Sequence, residues 1–411
     1  MNGEGRTRWA VVFAAFGAGV IGATHIGKVP AALPAMRADL ALDLVTAGWV
    51  VSLLYAIGMV LGAAAGLLSD RLGHRRMVLL GMAILASGSV AGALAETSGA
   101  ILASRFAEGI GYIIAIVSAP SILARAAAPA DRRLAVGMWG AFMPTGMGAM
   151  LVLSPFLQES VGWRGSWLAL AALTLLWMGL MAVVLRSRAQ AGEPSSESPE
   201  PAWRNFIIMV SARGPWVLAL CFGFYTLAWI ALMVWLPTFI VEQRGLSVRF
   251  AALLTVIAVL INLPGNLLGG WLSHKAVPRG AVIALAGALI ALSGPLIFLD
   301  LLPDWARFGA CLAYSFAVGV VPALIFGAVP YFAPGRGQIA TTNGLVVQGS
   351  HLGQFTGPPL AALAVTLTGG WQAGALVFGF CGLGVMAFAA LIHGEEKRLT
   401  SPQGSSERST P

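Results

Sequence analysis

The chain has 411 residues, of which 58% are hydrophobic and 10% charged, and its formal net charge at pH 7 is +8. Its mean hydropathy of +0.82 excludes a soluble globular protein, whose surface needs far more polar and charged residues. The basic residues are spread over many short loops rather than gathered on one face, so the positive charge does not indicate a nucleic-acid partner.

Apolar segments long enough to cross a bilayer recur along the chain. A helix needs about 20 mostly apolar residues to cross a hydrocarbon core about 30 Å thick. We therefore predict an all-α integral membrane protein with twelve transmembrane helices. They cover residues 9–32, 45–68, 77–95, 99–122, 133–157, 165–185, 214–238, 249–272, 280–299, 305–329, 338–366 and 371–393. Arg6 and Arg8 precede the first span as in a signal peptide, but its apolar run exceeds the roughly 7–15 residues of such a peptide.

The positive residues predict the orientation of the spans. Lys and Arg concentrate in the two tails and in alternate loops, whereas the other loops hold only Arg37, Arg164, Arg244, Arg249 and Arg307. Because Lys and Arg accumulate on the cytoplasmic side of a membrane, we expect both termini to be cytoplasmic. The expected location is the inner (plasma) membrane of the cell, crossed many times.

The first span ends in a polar stretch, THIGKVPAALP. His25 and Lys28 are three residues apart and so lie on one helix face. Lys28 follows Trp9 by 19 residues, or about 28 Å of helix, which leaves two interpretations: the pair contacts a solute, or Lys28 snorkels at the membrane edge. The predicted span, 9–32, ends just before Leu33-Pro34. The span has no acidic residue, which favours a negatively charged solute.

The loop after the second span reads GLLSDRLGHRRMVLLG. The residues of interest are Gly66, Asp70, Arg71, Gly73, Arg75 and Arg76. Their order resembles the loop motif of the major facilitator superfamily, which implies a cytoplasmic gating loop that latches two halves of a transporter. The alternative is an ordinary positive cytoplasmic loop with one aspartate. His274 replaces the aspartate in the second copy, so we expect the stronger latch in the first half.

The fourth span contains ASRFAEGIGY, in which Arg105, Gly109 and Gly111 resemble the R-x-x-x-G-x-G pattern of the same superfamily. Arg105 and Glu108 share a helix face. Counting from Gly99, Glu108 lies ~14 Å deep, where a charged side chain is costly and should face protein or water. Two roles stay open, a structural ion pair and participation in proton or substrate coupling. The resemblance implies that Arg105 assists coupling.

The fifth span, AVGMWGAFMPTGMGAM, is rich in glycine and contains Pro144. It partly resembles a fifth-helix motif of antiporters, although Met143 stands where that motif has a glycine. Close helix packing through the glycines and a kink at the proline are the favoured interpretation. The glycines are Gly137, Gly140, Gly146 and Gly148.

Residues 186–213 contain a Pro-, Ser- and Glu-rich stretch that predicts a cytoplasmic linker. It would separate a bundle at 1–185 from a second at 214–393, with a disordered cytoplasmic tail at 394–411. Three matches relate the halves: Gly66-Leu-Leu-Ser to Gly270-Trp-Leu-Ser, Gly162-Trp163-Arg164 to Gly370-Trp371-Gln372, and Pro155 to Pro359. Two pseudo-symmetric six-helix bundles place a solute site near the membrane midplane and allow alternating access.

The seventh and eleventh spans resemble the cyanate and nitroimidazole transporter group of the superfamily. Aromatic residues there and in earlier spans can stack on a planar solute or simply pack against neighbours. They are Tyr112, Trp139, Tyr225 and Trp229. In the eleventh span Asn343, Gln348, His351 and Gln354 form a polar stripe, which predicts a cavity lining.

No P-loop, zinc-binding or nucleophile-elbow motif occurs in the sequence, so we expect no cofactor, no metal and no enzymatic activity. The expected function is secondary active transport of a small anionic or polar organic solute by a monomer, coupled to protons through His25, Glu108 and His351. The alternatives are transport of a planar aromatic heterocycle and a membrane solute sensor. Cys221, Cys311 and Cys381 are expected to be free and buried.

Overall fold

The computed structural model describes residues 6–131, 135, 138–139, 141–186, 202–273, 275 and 277–400, and their regular structure is entirely helical. The α-helices of the first half are α1 (Trp9–Asp39), α2 (Leu44–Leu72), α3 (His74–Ala93), α4 (Ser98–Ala126) and α5 (Phe142–Val184). They are followed by α6 (Ala202–Ser211), α7 (Arg213–Arg244), α8 (Val248–Leu260), α9 (Asn262–Ser273), α10 (Arg279–Phe298), α11 (Asp304–Val318), α12 (Val320–Phe332), α13 (Ile339–Thr368) and α14 (Gly374–Thr400). Short 3₁₀ turns occupy Arg336–Gln338 and Trp371–Ala373.

Local sequence explains where several helices begin and end. The carboxylate of Asp43 accepts a hydrogen bond from the Thr46 backbone N–H (2.8 Å) and caps α2, and the Thr97 hydroxyl caps α4 through Ala100 (3.2 Å). Such caps satisfy backbone donors that have no partner inside the helix. Gly162, with φ of +70°, divides α5 into two limbs, a conformation that favours glycine.

The helices account for the twelve predicted spans. Nine segments of the described residues are long and apolar enough to cross a membrane. One of them is α5, which forms two spans because Gly162 divides it. The helices α2 and α13 supply the remaining two. The interrupted pairs α8–α9 and α11–α12 each count as one span, Val248–Ser273 and Asp304–Phe332. The predicted all-α fold is confirmed.

The first helix is longer than predicted. It continues past Leu33-Pro34 to Asp39 and contains both Pro30 and Pro34. The helix continues past the prolines because its side chains are buried there, since Val29, Leu33 and Met36 are 0% exposed. Each proline removes one helix hydrogen bond, a loss that packing of this extent can outweigh.

The other boundary corrections concern the linker and the tail. Within the predicted linker 186–213, residues 187–201 lie outside the described part, while Ala202–Ser211 forms α6. The predicted tail begins with helix rather than disorder, because α14 continues to Thr400. Glu396 accepts from the Gly280 backbone N–H (3.1 Å) and pairs with Arg279 (3.7 Å), which holds this end of α14 against α10. Residues 401–411 lie outside the description.

Packing divides the chain into two compact units, and the first comprises Met1–Glu197 with Met233–Leu260. Here α1 packs on α4 and α5, and α4 packs also on α2 and α3. Glycines make these contacts close. A Cβ on Gly111 would lie 2.4 Å from the Leu85 nitrogen, and one on Gly146 would lie 2.2 Å from the Val20 carbonyl. Close packing by Gly146 thus follows the sequence interpretation, whereas Gly137 and Gly140 lie outside the described residues and Pro144 falls in the first turn of α5.

The second unit comprises Ser198–Leu232 with Ile261–Pro411. Its main contacts join α10 to α14 and α9 to α12. Two helix interruptions lie close together, because the Asn262 side chain donates to the Ser315 carbonyl (2.8 Å) and Gly319 approaches the Asn262 carbonyl. The three cysteines, which fall inside predicted spans, are free and buried. The division into halves at residues 186–213 stays a prediction.

Candidate functional site

Four charged or titratable side chains meet in the interior of the first unit. His25 and Lys28 come from α1, and Arg105 and Glu108 come from α4. In each pair the residues are three apart, so both side chains leave the helix on the same face. None of the four is more than 1% exposed. We call these residues the buried charge cluster.

Lys28 uses all three of its N–H groups within the cluster and its surroundings. Its ammonium donates to Glu108 Oε1, to the Ser89 hydroxyl (2.9 Å) and to His25 Nδ1 (3.3 Å). The ring of Trp167 lies 3.6 Å from Nζ, in cation–π contact. These contacts contradict the snorkelling interpretation of Lys28. The reason is the length of α1, which continues eleven residues beyond Lys28 instead of ending near it.

Arg105 links three helices. Its Nε donates to the Val50 carbonyl of α2 (2.8 Å), and its Nη1 donates to the His25 carbonyl (3.2 Å) and to Glu108 Oε2. The remaining nitrogen, Nη2, is buried and has no hydrogen-bond partner among the described residues. Arg105 therefore contributes to helix packing, and it also holds an unused donor inside the protein.

The cluster carries an excess of positive charge. With His25 neutral, the charges of Lys28 and Arg105 are opposed only by Glu108 among the groups in contact with them, which leaves a net charge of +1. Isolated charge is expensive to bury, and a full set of partners is needed to offset the cost. An anion brought to this place would balance the charge.

His25 bridges the charged groups and the second limb of α5. Its Nδ1 lies 3.2 Å from Glu108 Oε1, and its Nε2 lies 2.9 Å from the Thr174 hydroxyl. The ring is 0% exposed. The arrangement places a titratable nitrogen beside a carboxylate, which is a geometry suited to holding and releasing a proton.

Three residues around the cluster were not predicted from the sequence. Ser89 and Trp167 contact Lys28, and Thr174 contacts His25. Polar residues inside the third and sixth spans were the available signal, but serine and threonine in membrane helices commonly bond to their own backbone. Their true partners depend on how the helices are packed.

The predicted gating loop is described only in part. Gly73 has a φ of +89° and joins α2 to α3, as its place in the motif requires. Arg75 is half-buried and contacts the Ala182 carbonyl (3.4 Å), while Arg76 is exposed. The side chains of Asp70 and Arg71, the surroundings of Gly66, and His274 of the second copy lie outside the description.

The predicted aromatic residues are divided between the units. In the first, Tyr112 packs edge-on against Tyr55 (6.4 Å between ring centroids), and Trp139 lies tilted against Phe142 (4.5 Å). In the second, Tyr225 stacks on Phe222 (5.6 Å). Trp229 of the same helix is 7% exposed, and its Nε1 has no hydrogen-bond partner among the described residues.

The polar residues of the eleventh span do not form one continuous buried face. His351 is buried, Gln348 is half-buried and Asn343, near the start of α13, is exposed. Among the residues that the structure describes, no group of three or more His, Cys, Asp and Glu is placed to hold a metal ion.

Known proteins resemble this chain over most of its length. Monocarboxylate transporter 11 of Mus musculus is 28% identical over 387 residues, covering 91% of this chain and 85% of the relative. The hexuronate transporter of Bacillus subtilis is 24% identical over 413 residues, covering 96% of each chain. The inward-facing, unoccupied structure of a bacterial homolog of the human lysosomal transporter Spinster shares the fold, with a TM-score of 0.78 at 16% identity over 97% of this chain and 100% of that chain. The family profile of the Major Facilitator Superfamily matches residues 9–348, and the chain is therefore a multi-pass membrane transporter that belongs to this superfamily.

Proposed function

We propose that the protein is a proton-coupled secondary transporter of small organic anions that works by alternating access. It resides as a monomer in the plasma membrane, with both termini in the cytoplasm. The observation that carries the proposal is the buried charge cluster, in which Lys28 and Arg105 outnumber Glu108. The loop charges support the orientation, since cytoplasmic loops attract Lys and Arg.

The cluster favours an anion for two reasons. Its net charge of +1 lies where water is excluded, and electrostatic attraction is stronger there than at the surface. Arg105 Nη2 also offers a donor that no described residue accepts, and guanidinium groups suit carboxylates well. The four side chains are closed off from solvent, so a substrate reaches them only after the helices around them rearrange. Transporters of monocarboxylates and hexuronates among the relatives support an organic acid.

Proton coupling follows from the same charge balance. A proton added to His25 or Glu108 raises the net charge of the cluster from +1 to +2 and makes the buried site less stable without an anion. An anion lowers that charge again, so proton and anion favour each other's binding. This mutual dependence is what symport requires.

The test is uptake by purified protein in proteoliposomes, with labelled lactate and glucuronate as anions and labelled nicotinamide as a neutral aromatic solute. An inward proton gradient should stimulate uptake of at least one anion, and a protonophore should abolish the stimulation. Lys28→Ala and His25→Ala should raise KM without loss of membrane insertion. Lys275→Ala serves as control, because Lys275 is exposed. Uptake that does not depend on the pH gradient contradicts proton coupling. A wild-type KM in both Lys28→Ala and His25→Ala contradicts the assignment of the buried charge cluster as the substrate site.

A planar aromatic substrate is the second candidate, favoured by Tyr225 and Trp229 of α7. Tyr225 already stacks on Phe222, and the buried indole N–H of Trp229 has no acceptor among the described residues. Together the two side chains can stack on and hydrogen-bond a heterocycle. Nitroimidazole competing with anion uptake, and loss of that competition in Trp229→Phe, would favour this candidate and the predicted cyanate and nitroimidazole group. A solute sensor of the same fold would bind these compounds without flux.

The gating role of the α2–α3 loop is part of the proposal. The sequence places Asp70 among Arg71, Arg75 and Arg76, an arrangement that can latch a cytoplasmic surface electrostatically. Asp70→Asn should change the transport rate or the substrate affinity. An unchanged rate and an unchanged KM would leave the motif as an ordinary positive loop.

A further inference from the structure

We infer that Thr174 is a positioning residue that fixes the tautomer of His25, so that Nδ1 of His25 is the atom that receives the transported proton, beside Glu108. This inference rests on the proposed proton coupling and adds to it a defined atom and a residue outside the charged set. It depends on the hydrogen bonds around the imidazole ring of His25, beginning with the one to Thr174 of α5.

The Thr174 hydroxyl has a single hydrogen, and the structure shows where it goes. Thr174 Oγ1 donates to the Leu170 carbonyl at 2.7 Å, one turn earlier on the same helix. The same oxygen lies 2.9 Å from His25 Nε2. Because its hydrogen is already committed, the hydroxyl accepts from His25, and Nε2 therefore carries the ring hydrogen. Neutral His25 then has its lone pair on Nδ1.

Ser89 fixes the direction of Lys28 in the same way. Its hydroxyl donates to the Trp167 carbonyl (2.9 Å), so it accepts from Lys28. The other two ammonium hydrogens point to Glu108 Oε1 and to His25 Nδ1 (3.3 Å). In the neutral state, the Nδ1 lone pair is the acceptor of the third Lys28 hydrogen.

A proton arriving from the aqueous phase changes this pattern in a defined way. It binds the lone pair of His25 Nδ1, and the new N–H donates to Glu108 Oε1, 3.2 Å away. Lys28 then loses one acceptor, and the net charge of the cluster rises from +1 to +2. Release of the proton restores the bond from Lys28. The imidazole thus exchanges its Lys28 contact for a Glu108 contact each time it is protonated.

His25 and its partners Lys28 and Glu108 are surrounded by groups from five helices. Its own helix supplies Lys28, and α4 supplies Arg105 and Glu108. The helices α3 and α5 supply Ser89, Trp167 and Thr174, none of which titrates near neutral pH. The helix α2 contributes the Val50 carbonyl to Arg105, and its Tyr55 packs against Tyr112. His25 and Glu108 are therefore the groups here that can take up and release a proton while Lys28 and Arg105 stay charged.

The tautomer is measured directly by solid-state NMR of full-length protein labelled with ¹⁵N in the histidine rings and reconstituted in liposomes. The chain has five histidines, and the His25 signals are those lost in His25→Gln. Wild type should show protonated Nε2 and unprotonated Nδ1 at neutral pH. Thr174→Val removes the acceptor and should raise the share of the opposite tautomer about tenfold, the effect of about one hydrogen bond. Thr174→Ser should restore the wild-type spectrum.

Uptake gives the second readout. Thr174→Val should reduce gradient-driven accumulation of the anion about tenfold and shift its pH profile, while exchange at equal pH on both sides is retained. The matched control is Thr255→Val, because Thr255 is equally buried and its hydroxyl bonds to its own helix, at the Ala251 carbonyl (2.9 Å). Thr174→Ala also removes the hydroxyl that accepts from His25, and it replaces Thr174→Val in both experiments if the valine variant does not fold.

The outcomes separate the two proposals. A wild-type His25 tautomer and an unchanged pH profile in both Thr174→Val and Thr174→Ala would overturn the inference and leave proton coupling standing. Wild-type uptake without any dependence on a pH gradient would overturn the coupling and, with it, the proton-accepting role of Nδ1. The NMR spectra would still decide whether Thr174 sets the tautomer, since they require no transport.

Discussion

Replacing Glu108 by glutamine removes the carboxylate that accepts hydrogen bonds from both Lys28 and Arg105. The net charge of the buried charge cluster then rises from +1 to +2 while the volume hardly changes. Removing one partner of a buried ion pair typically costs about 3–5 kcal/mol, since the other charge is left without compensation. We expect Glu108→Gln to lower the free energy of unfolding by this amount.

Lys28→Met should have a much smaller effect, although Lys28 is equally buried. It lowers the net charge from +1 to 0, because Arg105 and Glu108 remain paired, and it places an apolar side chain against Trp167. We expect a change within about 2 kcal/mol of wild type, since replacing buried charge by apolar groups is often nearly neutral. The double variant should be more stable than Glu108→Gln alone.

These differences are measured by steric trapping, which monitors reversible unfolding of the protein in lipid bicelles. Glu242→Gln is the matched control, because Glu242 pairs with Arg37 (2.9 Å) through a side chain that is 41% exposed. A surface ion pair of this kind contributes about 1 kcal/mol or less. If Glu108→Gln and Lys28→Met lowered the free energy of unfolding equally, the net charge of +1 on which both expected values rest would be refuted.

Two further predictions concern packing and capping. Gly111→Ala should lower the free energy of unfolding by about 1–3 kcal/mol, because the new Cβ would lie 2.4 Å from the Leu85 nitrogen; Gly99→Ala, with no atom within 4 Å, should change it by less than about 0.5 kcal/mol. Asp43→Ala should cost about 1 kcal/mol and increase hydrogen exchange at the start of α2. The bond from the Thr46 backbone lowers the pKa of Asp43 below its ordinary value of 3.8, so in wild type the cap contributes fully above that value and is lost as the pH falls through the lowered pKa. Loss of the cap in wild type at neutral pH would contradict this direction of the pH dependence.

The sequence was sufficient for the helical spans because length and hydropathy determine them. It also placed Arg105 and Glu108 on one face of α4 and His25 with Lys28 on one face of α1, since helical spacing alone decides which neighbours share a face. That these two faces meet depends on the packing of α1 against α4, which no local pattern specifies.

Helix boundaries were less predictable where tertiary packing opposes local preference. The Leu33-Pro34 pair resembles the end of a first helix of the superfamily, and on that ground α1 was predicted to end there. Buried contacts carry it to Asp39 although proline ordinarily marks the end of a helix. Ser89 and Thr174 were missed for a related reason. Thr174 bonds to its own helix at the Leu170 carbonyl, as any threonine in a membrane helix could, whereas Ser89 bonds to the Trp167 carbonyl of α5. The contacts that both residues make with other helices are visible only in three dimensions.

The prolines of α1 give its two ends different stiffness. Neither Pro30 nor Pro34 has an N–H, so the carbonyls of Ile26 and Pro30 lack the bond that would normally close each turn. Before this weakened section, Arg105 ties the His25 carbonyl to α4. The helix is thus held at the cluster and less stiff just beyond it, so that its C-terminal third can bend while His25 and Lys28 keep their places.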